Sequence, residues 1–143
     1  MIYQLASLLD FFGPARLLQS YTVLMGLALF SGFIITYIVL PKTYAKLPHD
    51  RGREFTATAE AAKGKPTGSG VVFITIFVLI VFVFIPLNWL QIVILLLTWL
   101  TMLTGYLDDR SVNSWGEYRK AILDLLLSVG ASFALYYGSQ NQA

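Results

Sequence analysis

Three long stretches of this chain carry no charged side chain, and they restrict its fold more than any other feature. They cover residues 21–40, 70–87 and 89–107. Twenty residues of α-helix are about 30 Å long, which matches the hydrocarbon core of a bilayer. Over the whole chain 57% of residues are hydrophobic and 13% are charged, whereas a soluble domain carries about 25% charged residues. The sequence therefore predicts an integral membrane protein.

A fourth apolar stretch, residues 121–137, is interrupted only by Asp124. The stretch at 70–87 is rich in Val, Ile and Phe, which are common in strands, but its length and lack of alternation favour a membrane helix. We therefore predict an all-α, polytopic integral membrane protein with four transmembrane helices in a single membrane domain over residues 1–143.

The N-terminal segment, residues 1–20, precedes the first predicted span. It lacks a basic start and a small-residue cleavage site, and Asp10 interrupts its apolar residues, so a signal peptide is disfavoured. Gly13 and Pro14 would break a helix. We expect residues 1–20 to form an interfacial lead-in helix that is broken at Gly13 and Pro14.

The basic residues indicate how the spans are oriented. Nine of the ten lie in or beside the loops at 41–69 and 108–119, and Arg16 is the tenth. Because basic residues are enriched in cytoplasmic loops, both loops are expected to face the cytoplasm and both termini the outside. The nine are Lys42, Lys46, Arg51, Arg53, Lys63, Lys65, Arg110, Arg119 and Lys120.

Composition also excludes two classes of function. The chain has no cysteine, which excludes disulfides and thiolate chemistry. Its net charge of +2 gives no basis for a nucleic-acid partner.

Two adjacent carboxylates, Asp108 and Asp109, follow the third span directly. The C-terminus of a helix carries partial negative charge, and neighbouring carboxylates repel each other, so this position disfavours both groups. Mg²⁺ together with phosphate oxygens would remove both penalties. A solvated loop start, with Arg110 as the counter-charge, is the alternative that these residues leave open.

Asp124 lies about one turn inside the fourth predicted span. A charged side chain costs roughly 2.5–3.5 kcal/mol at the centre of a bilayer, and less near an end. Lys120 is four residues earlier on the same helical face and is the expected partner. A functional charge and a structural ion pair both fit this spacing.

The segment KGKPTGSG, residues 63–70, ends the first loop. Its three glycines allow backbone N–H groups to turn toward an anion, and Lys63 and Lys65 add positive charge. The Walker A spacing is absent. A flexible linker with cytoplasmic lysines would have the same composition.

Together and in this order, these segments resemble the N-terminal part of the phospho-N-acetylmuramoyl-pentapeptide transferases (MraY-like), within the polyprenyl-phosphate sugar-phosphate transferase family. The first cytoplasmic loop of that family ends in a pattern similar to K-x-G-T-P-T-M-G-G, and residues 62–70 here read AKGKPTGSG. Four positions depart from the pattern, at Ala62, Lys65, Gly68 and Ser69.

The second matching segment is the carboxylate junction. The family pattern G-F-I-D-D-Y is similar to GYLDDR, residues 105–110, and a basic residue opens the next helix, as Arg119 and Lys120 do here. The resemblance extends over residues 18–137. It implies either the N-terminal portion of a larger domain or a short relative that needs a partner chain, because the family's later motifs are absent.

The resemblance implies a Mg²⁺-dependent transfer of phospho-MurNAc-pentapeptide from a UDP-sugar to undecaprenyl phosphate. The reaction would release UMP at the cytoplasmic face of the cell membrane, in the synthesis of peptidoglycan precursors. Asp108 and Asp109 would either organise Mg²⁺ and the phosphates or deprotonate the lipid phosphate. The resemblance does not decide between these two roles. Lys63, Lys65 and Lys120 would neutralise the diphosphate charge.

A competing hypothesis is a non-catalytic four-helix assembly subunit, or a truncated inactive relative, in which the carboxylate pair has no chemical role. The small side chains of Ser128, Ala131 and Ser132 on the fourth helix would suit such an assembly, including a homo-oligomer. A small transporter is less well supported, because Asp124 is the only charge inside a predicted span.

Overall fold

A computed structural model describes residues 17–49, 64–111 and 115–140. All of the regular structure in these ranges is helical, which confirms the all-α prediction for them. The helices are α1 (Tyr21–Thr43), α2 (Gly70–Phe84), α3 (Trp89–Arg110) and α4 (Glu117–Gln140), and a 3₁₀ turn, Tyr44–Lys46, follows α1.

Within the described ranges, three helical segments are long and apolar enough to cross a membrane. They are Tyr21–Lys46, Trp89–Arg110 and Glu117–Gly138. The remaining helix, α2, has 15 residues and is about 22 Å long. It ends three residues before the predicted end of the second span, because Pro86 favours extended backbone at Ile85, where φ is −102° and ψ is 133°. The membrane crossing by α2, and the orientation of all four helices, remain predictions.

The helices pack in chain order, with α1 against α2, α2 against α3, and α3 against α4. Neighbours are antiparallel. Leu47, just after α1, packs with Val72 and Ile76 near the start of α2, and Tyr106 near the end of α3 joins them. Lys120 near the start of α4 lies 2.6 Å from Asp108 near the end of α3. The ends of α1 and α3 and the starts of α2 and α4 therefore lie together, at what we call the polar end. Among the described helices α1 and α4 do not pack on each other, so the arrangement is an open row.

Side-chain hydrogen bonds cap the start of α3 and join α3 to α2. Asn88 and Gln91 form a reciprocal cap at the start of α3, in which the side chain of each accepts from the backbone N–H of the other at 2.9 Å. Such caps stabilise helix starts by satisfying N–H groups that lack a partner in the helix. Farther along, the indole Nε1 of Trp99 donates to Oγ1 of Thr75 at 3.1 Å, which sets the register of the two helices.

Large apolar side chains cover the outside of the row. Leu29 and Phe33 on α1 are 70% and 69% exposed, and similar side chains lie along the outer faces of α2 and α4. In water so much exposed apolar surface would be strongly unfavourable. Surrounding hydrocarbon removes that penalty, so these surfaces are typical of a membrane protein.

Gly138 marks a close approach between α4 and α3. A Cβ at Gly138 would lie 2.7 Å from both Cδ atoms of Leu90, whereas one at Gly130 would meet Leu97 at an ordinary 3.7 Å. Both positions are helical and gain similar helix propensity from alanine. We therefore expect Gly138→Ala to be about 1–3 kcal/mol less stable than Gly130→Ala, as measured by thermal unfolding in detergent. Equal stability of the two variants would show that Leu90 moves aside without cost.

Candidate active site

The glycine-rich loop and the carboxylate pair lie side by side at the polar end. An ideal Cβ built on Gly68 would lie 3.6 Å from Oδ2 of Asp109, 3.2 Å from Cδ2 of Tyr106 and 3.3 Å from Cγ of Pro48. Antiparallel packing causes this proximity, because it places the start of α2 beside the end of α3. Two segments about forty residues apart in the sequence thus lie next to each other.

Hydrogen bonds give the loop a defined path. The backbone N–H of Thr67 donates to the carbonyl oxygen of Pro48 at 2.7 Å, and its hydroxyl donates to the same oxygen at 3.1 Å. His49 and Pro66 form an isolated antiparallel bridge. Gly64 and Gly68 have φ of +85° and +69°, a region that side chains disfavour, so the turns at these two positions require glycine.

Of the two lysines in this loop that were predicted to bind phosphate, the structure describes only Lys65. Lys65 is exposed, and within the described residues it contacts neither aspartate. Lys63 lies outside the described residues, so its role stays a prediction.

Asp108 is held by three neighbouring groups. Its Oδ2 lies 2.6 Å from Nζ of Lys120, and its Oδ1 accepts from the backbone N–H of Trp115 at 2.8 Å. The hydroxyl of Ser111 donates to the Asp108 carbonyl oxygen at 2.7 Å. Charge-assisted bonds to both carboxylate oxygens favour the ionised form, which offsets the unfavourable position of this group at a helix C-terminus.

Asp109 has a different environment. Its side chain is exposed, and in the part of the chain that the structure describes it forms no ion pair and no hydrogen bond. Its carboxylate faces Gly68. The adjacent carboxylates are therefore not equivalent, because Asp108 joins α3 to α4 while Asp109 keeps its oxygens available beside the loop.

Lys120 does not pair with Asp124, so the expected pairing within one helix is wrong for this arrangement. It pairs with Asp108 because the start of α4 packs against the end of α3. Asp124 nevertheless lines the same cavity, of 140 Å³, as Asp108, Trp115 and Lys120.

Trp115 is a residue that sequence reasoning missed. Besides its bond to Asp108, its ring lies 4.2 Å from Cζ of Arg119, a distance typical of a cation–π contact. Its position just before a helix that opens with basic residues was the only available signal. That pattern alone does not show which group a backbone N–H will contact.

An apolar cavity of 610 Å³ lies between α1 and α2, away from these charges. Its lining is almost wholly hydrocarbon and includes Leu24, Ile76 and Phe84. The described residues that line it include two hydroxyl-bearing side chains, Tyr21 and Thr36, and no charged group that could bind a phosphate.

Two curated relatives match this chain closely. Both are named phospho-N-acetylmuramoyl-pentapeptide-transferase, and they come from two strains of Treponema pallidum, one of them the Nichols strain. Each is 55% identical to the chain over 129 residues, which is 90% of this chain and 36% of the relative. The chain therefore spans little more than a third of the length of these relatives. No family model matches the chain, and no solved structure matches it.

Proposed function

Since this chain is homologous to the phospho-N-acetylmuramoyl-pentapeptide-transferases, we propose that it takes part in the transfer that gives them their name. In this proposal phospho-MurNAc-pentapeptide passes from a UDP-sugar to undecaprenyl phosphate, and UMP is released. The reaction is the membrane step in the synthesis of peptidoglycan precursors. Because the match covers 36% of each relative, the proposal is that this chain would supply one part of the site.

One observation supports the proposal above the others. The polar end brings together a glycine-rich loop, an available carboxylate at Asp109, and the Asp108–Lys120 pair. A diphosphate needs cationic groups and backbone N–H donors close to a place where a metal ion can bind. Antiparallel packing would bring any loop and helix end together here, so the support comes from the chemistry of the groups that meet, a carboxylate with available oxygens beside a glycine-rich backbone.

The carboxylates fit Mg²⁺ only in part. No group of three metal-ligating side chains occurs within the described residues. Mg²⁺ commonly keeps several waters and binds one or two carboxylates together with substrate phosphates, so a single available carboxylate is enough to contribute. Asp109 is that group, because Lys120 and Trp115 already occupy both oxygens of Asp108. Bound there, the ion would supply positive charge to the diphosphate.

In the proposed transfer the lipid phosphate is the nucleophile and UMP is the leaving group. An oxygen of the lipid phosphate forms a bond to the β-phosphorus of the UDP-sugar, and the bond from that phosphorus to the bridging oxygen breaks. UMP leaves with the bridging oxygen. Lys65 and Lys120, with Lys63 from outside the described residues, would neutralise negative charge on the phosphates. The distribution of basic residues supports a cytoplasmic active face at the cell membrane.

The test is a reconstituted assay with the polypeptide at the length its source cell produces. We expect UMP release that requires the UDP-sugar, undecaprenyl phosphate and Mg²⁺ together, with the lipid diphosphate forming in equal amount. Release of UMP without the lipid phosphate would indicate a hydrolase. Absence of release, with unchanged growth when Asp108 and Asp109 are both neutralised in the cell, would favour the non-catalytic assembly subunit.

A further inference from the structure

We propose that Asp124 is a positioning residue for Lys120. When the Asp108–Lys120 pair opens, the ammonium group of Lys120 forms an ion pair with Asp124 instead. The inference rests on the proposed function, since that function requires Asp108 or Lys120 to meet a substrate or a cation. While Nζ of Lys120 lies 2.6 Å from Asp108, both groups are occupied by each other. A second acceptor for Lys120 lets the pair open without leaving an ammonium group unpaired.

The geometry supports this exchange. Asp124 is four residues after Lys120 in α4, so the two side chains lie on the same face of the helix. Asp108, Lys120 and Asp124 all line the 140 Å³ cavity between α3 and α4. Rotation of the flexible lysine side chain is therefore enough to change its partner, and no helix has to move.

Asp124 has no competing partner among the described residues. It also lines a second cavity, of 400 Å³, together with Thr98 and Thr101 of α3. Both hydroxyls donate to their own helix, Thr98 to the carbonyl oxygen of Ile94 and Thr101 to that of Leu97, each at 2.9 Å. Among the described residues that line these two cavities, Lys120 is the only basic one. Asp124 thus lacks a counter-charge unless Lys120 turns to it.

The exchange would change what Asp108 offers to the site. The N–H of Trp115 would still hold Oδ1 of Asp108 at 2.8 Å, while Oδ2 would be released from Lys120. Asp108 would then present one free oxygen in a fixed orientation beside Asp109. An unpaired carboxylate inside an apolar span is unfavourable, so pairing with Asp124 also compensates for the lost contact at Asp108.

The experiment follows the ammonium group of Lys120 by NMR, in protein labelled with ¹⁵N-lysine and reconstituted in nanodiscs without substrate. The signal is identified by its loss in Lys120→Met. We expect it to persist in Asp108→Asn, because Asp124 holds the group, and to disappear in the double variant Asp108→Asn/Asp124→Asn. A second double variant, Asp108→Asn/Asp124→Glu, keeps a carboxylate at position 124, and we expect it to show the Lys120 signal again.

Several results would overturn the proposal. The signal could disappear in Asp108→Asn alone, or persist in the double variant, and either would show that Asp124 does not hold Lys120. Failure of Asp108→Asn to fold while Asp124 is intact counts against it equally, because the second acceptor should keep that variant folded. UMP release plays no part in this measurement, so failure of the transferase proposal would be seen in its own assay.

Discussion

Asp109→Asn is expected to lower UMP release by about 100-fold or more while leaving the melting temperature near that of the unchanged protein. The carboxylate makes no ion pair or hydrogen bond within the described residues and is exposed, so its loss removes little stability. In the proposed reaction it helps to hold Mg²⁺ beside the diphosphate. We expect an effect similar to that of removing an oxyanion-hole donor, which costs about 10²–10³ in rate. The measurement is the reconstituted UMP assay together with thermal unfolding.

Glu117→Gln is the matched control for Asp109→Asn. Glu117 is also an exposed carboxylate at the polar end, in the first turn of α4, and it is not placed in the site. We expect its neutralisation to change UMP release by less than about threefold, since a single exposed charge is worth little. Equal losses in the two variants would mean that the assay responds to general charge at this end of the molecule, and the role of Asp109 would be refuted.

Gly68→Ala is expected to be the most damaging change in the loop. Position 68 has φ of +69°, and its Cβ would lie 3.2 Å from Tyr106 and 3.3 Å from Pro48. The left-handed backbone alone costs a side chain about 1–2 kcal/mol, and the crowding adds to it. The loop would have to move away from Asp109, and misplacement by about 1 Å can lower a rate by roughly 10²-fold.

Gly64→Ala separates the effect of left-handed backbone strain from the effect of crowding around the new side chain. Gly64 has φ of +85°, but apart from its chain neighbours no atom of the described residues lies within 4 Å of its Cβ position, so it carries the same backbone strain without the crowding. We expect Gly64→Ala to lower the melting temperature modestly and to keep most of the UMP release. If both variants lose the same activity, backbone strain is the cause and the contact of Gly68 with Tyr106 is unimportant.

Both parts of the candidate site were singled out from the sequence. The Asp108–Asp109 pair was noticed because a helix C-terminus disfavours carboxylates, and the glycine-rich loop because its backbone can turn toward an anion, although a flexible linker would have the same composition. The resemblance to phospho-N-acetylmuramoyl-pentapeptide transferases, stated from those two motifs, is confirmed by relatives that are 55% identical. The shorter α2 was also accessible to sequence reasoning, since the effect of Pro86 on Ile85 is local.

The ion pair between α3 and α4 could not be predicted from the sequence. Spacing of four residues pointed from Lys120 to Asp124, whereas the structure pairs Lys120 with Asp108. Spacing along one helix gives neighbours on that helix only. The depth at which α4 packs against α3 depends on side-chain packing along both helices, and that determines which carboxylate the lysine meets.

The sequence by itself determined that this chain forms apolar helices and that Asp108 and Asp109 lie at the end of one of them, because hydropathy and helix-end chemistry act over a few residues. Only the tertiary structure decided that the glycine-rich loop lies against Asp109 and that the N–H of Trp115 holds Asp108. The physical reason is that antiparallel packing brings together groups far apart in the chain, and its register is a property of the packed helices as a set.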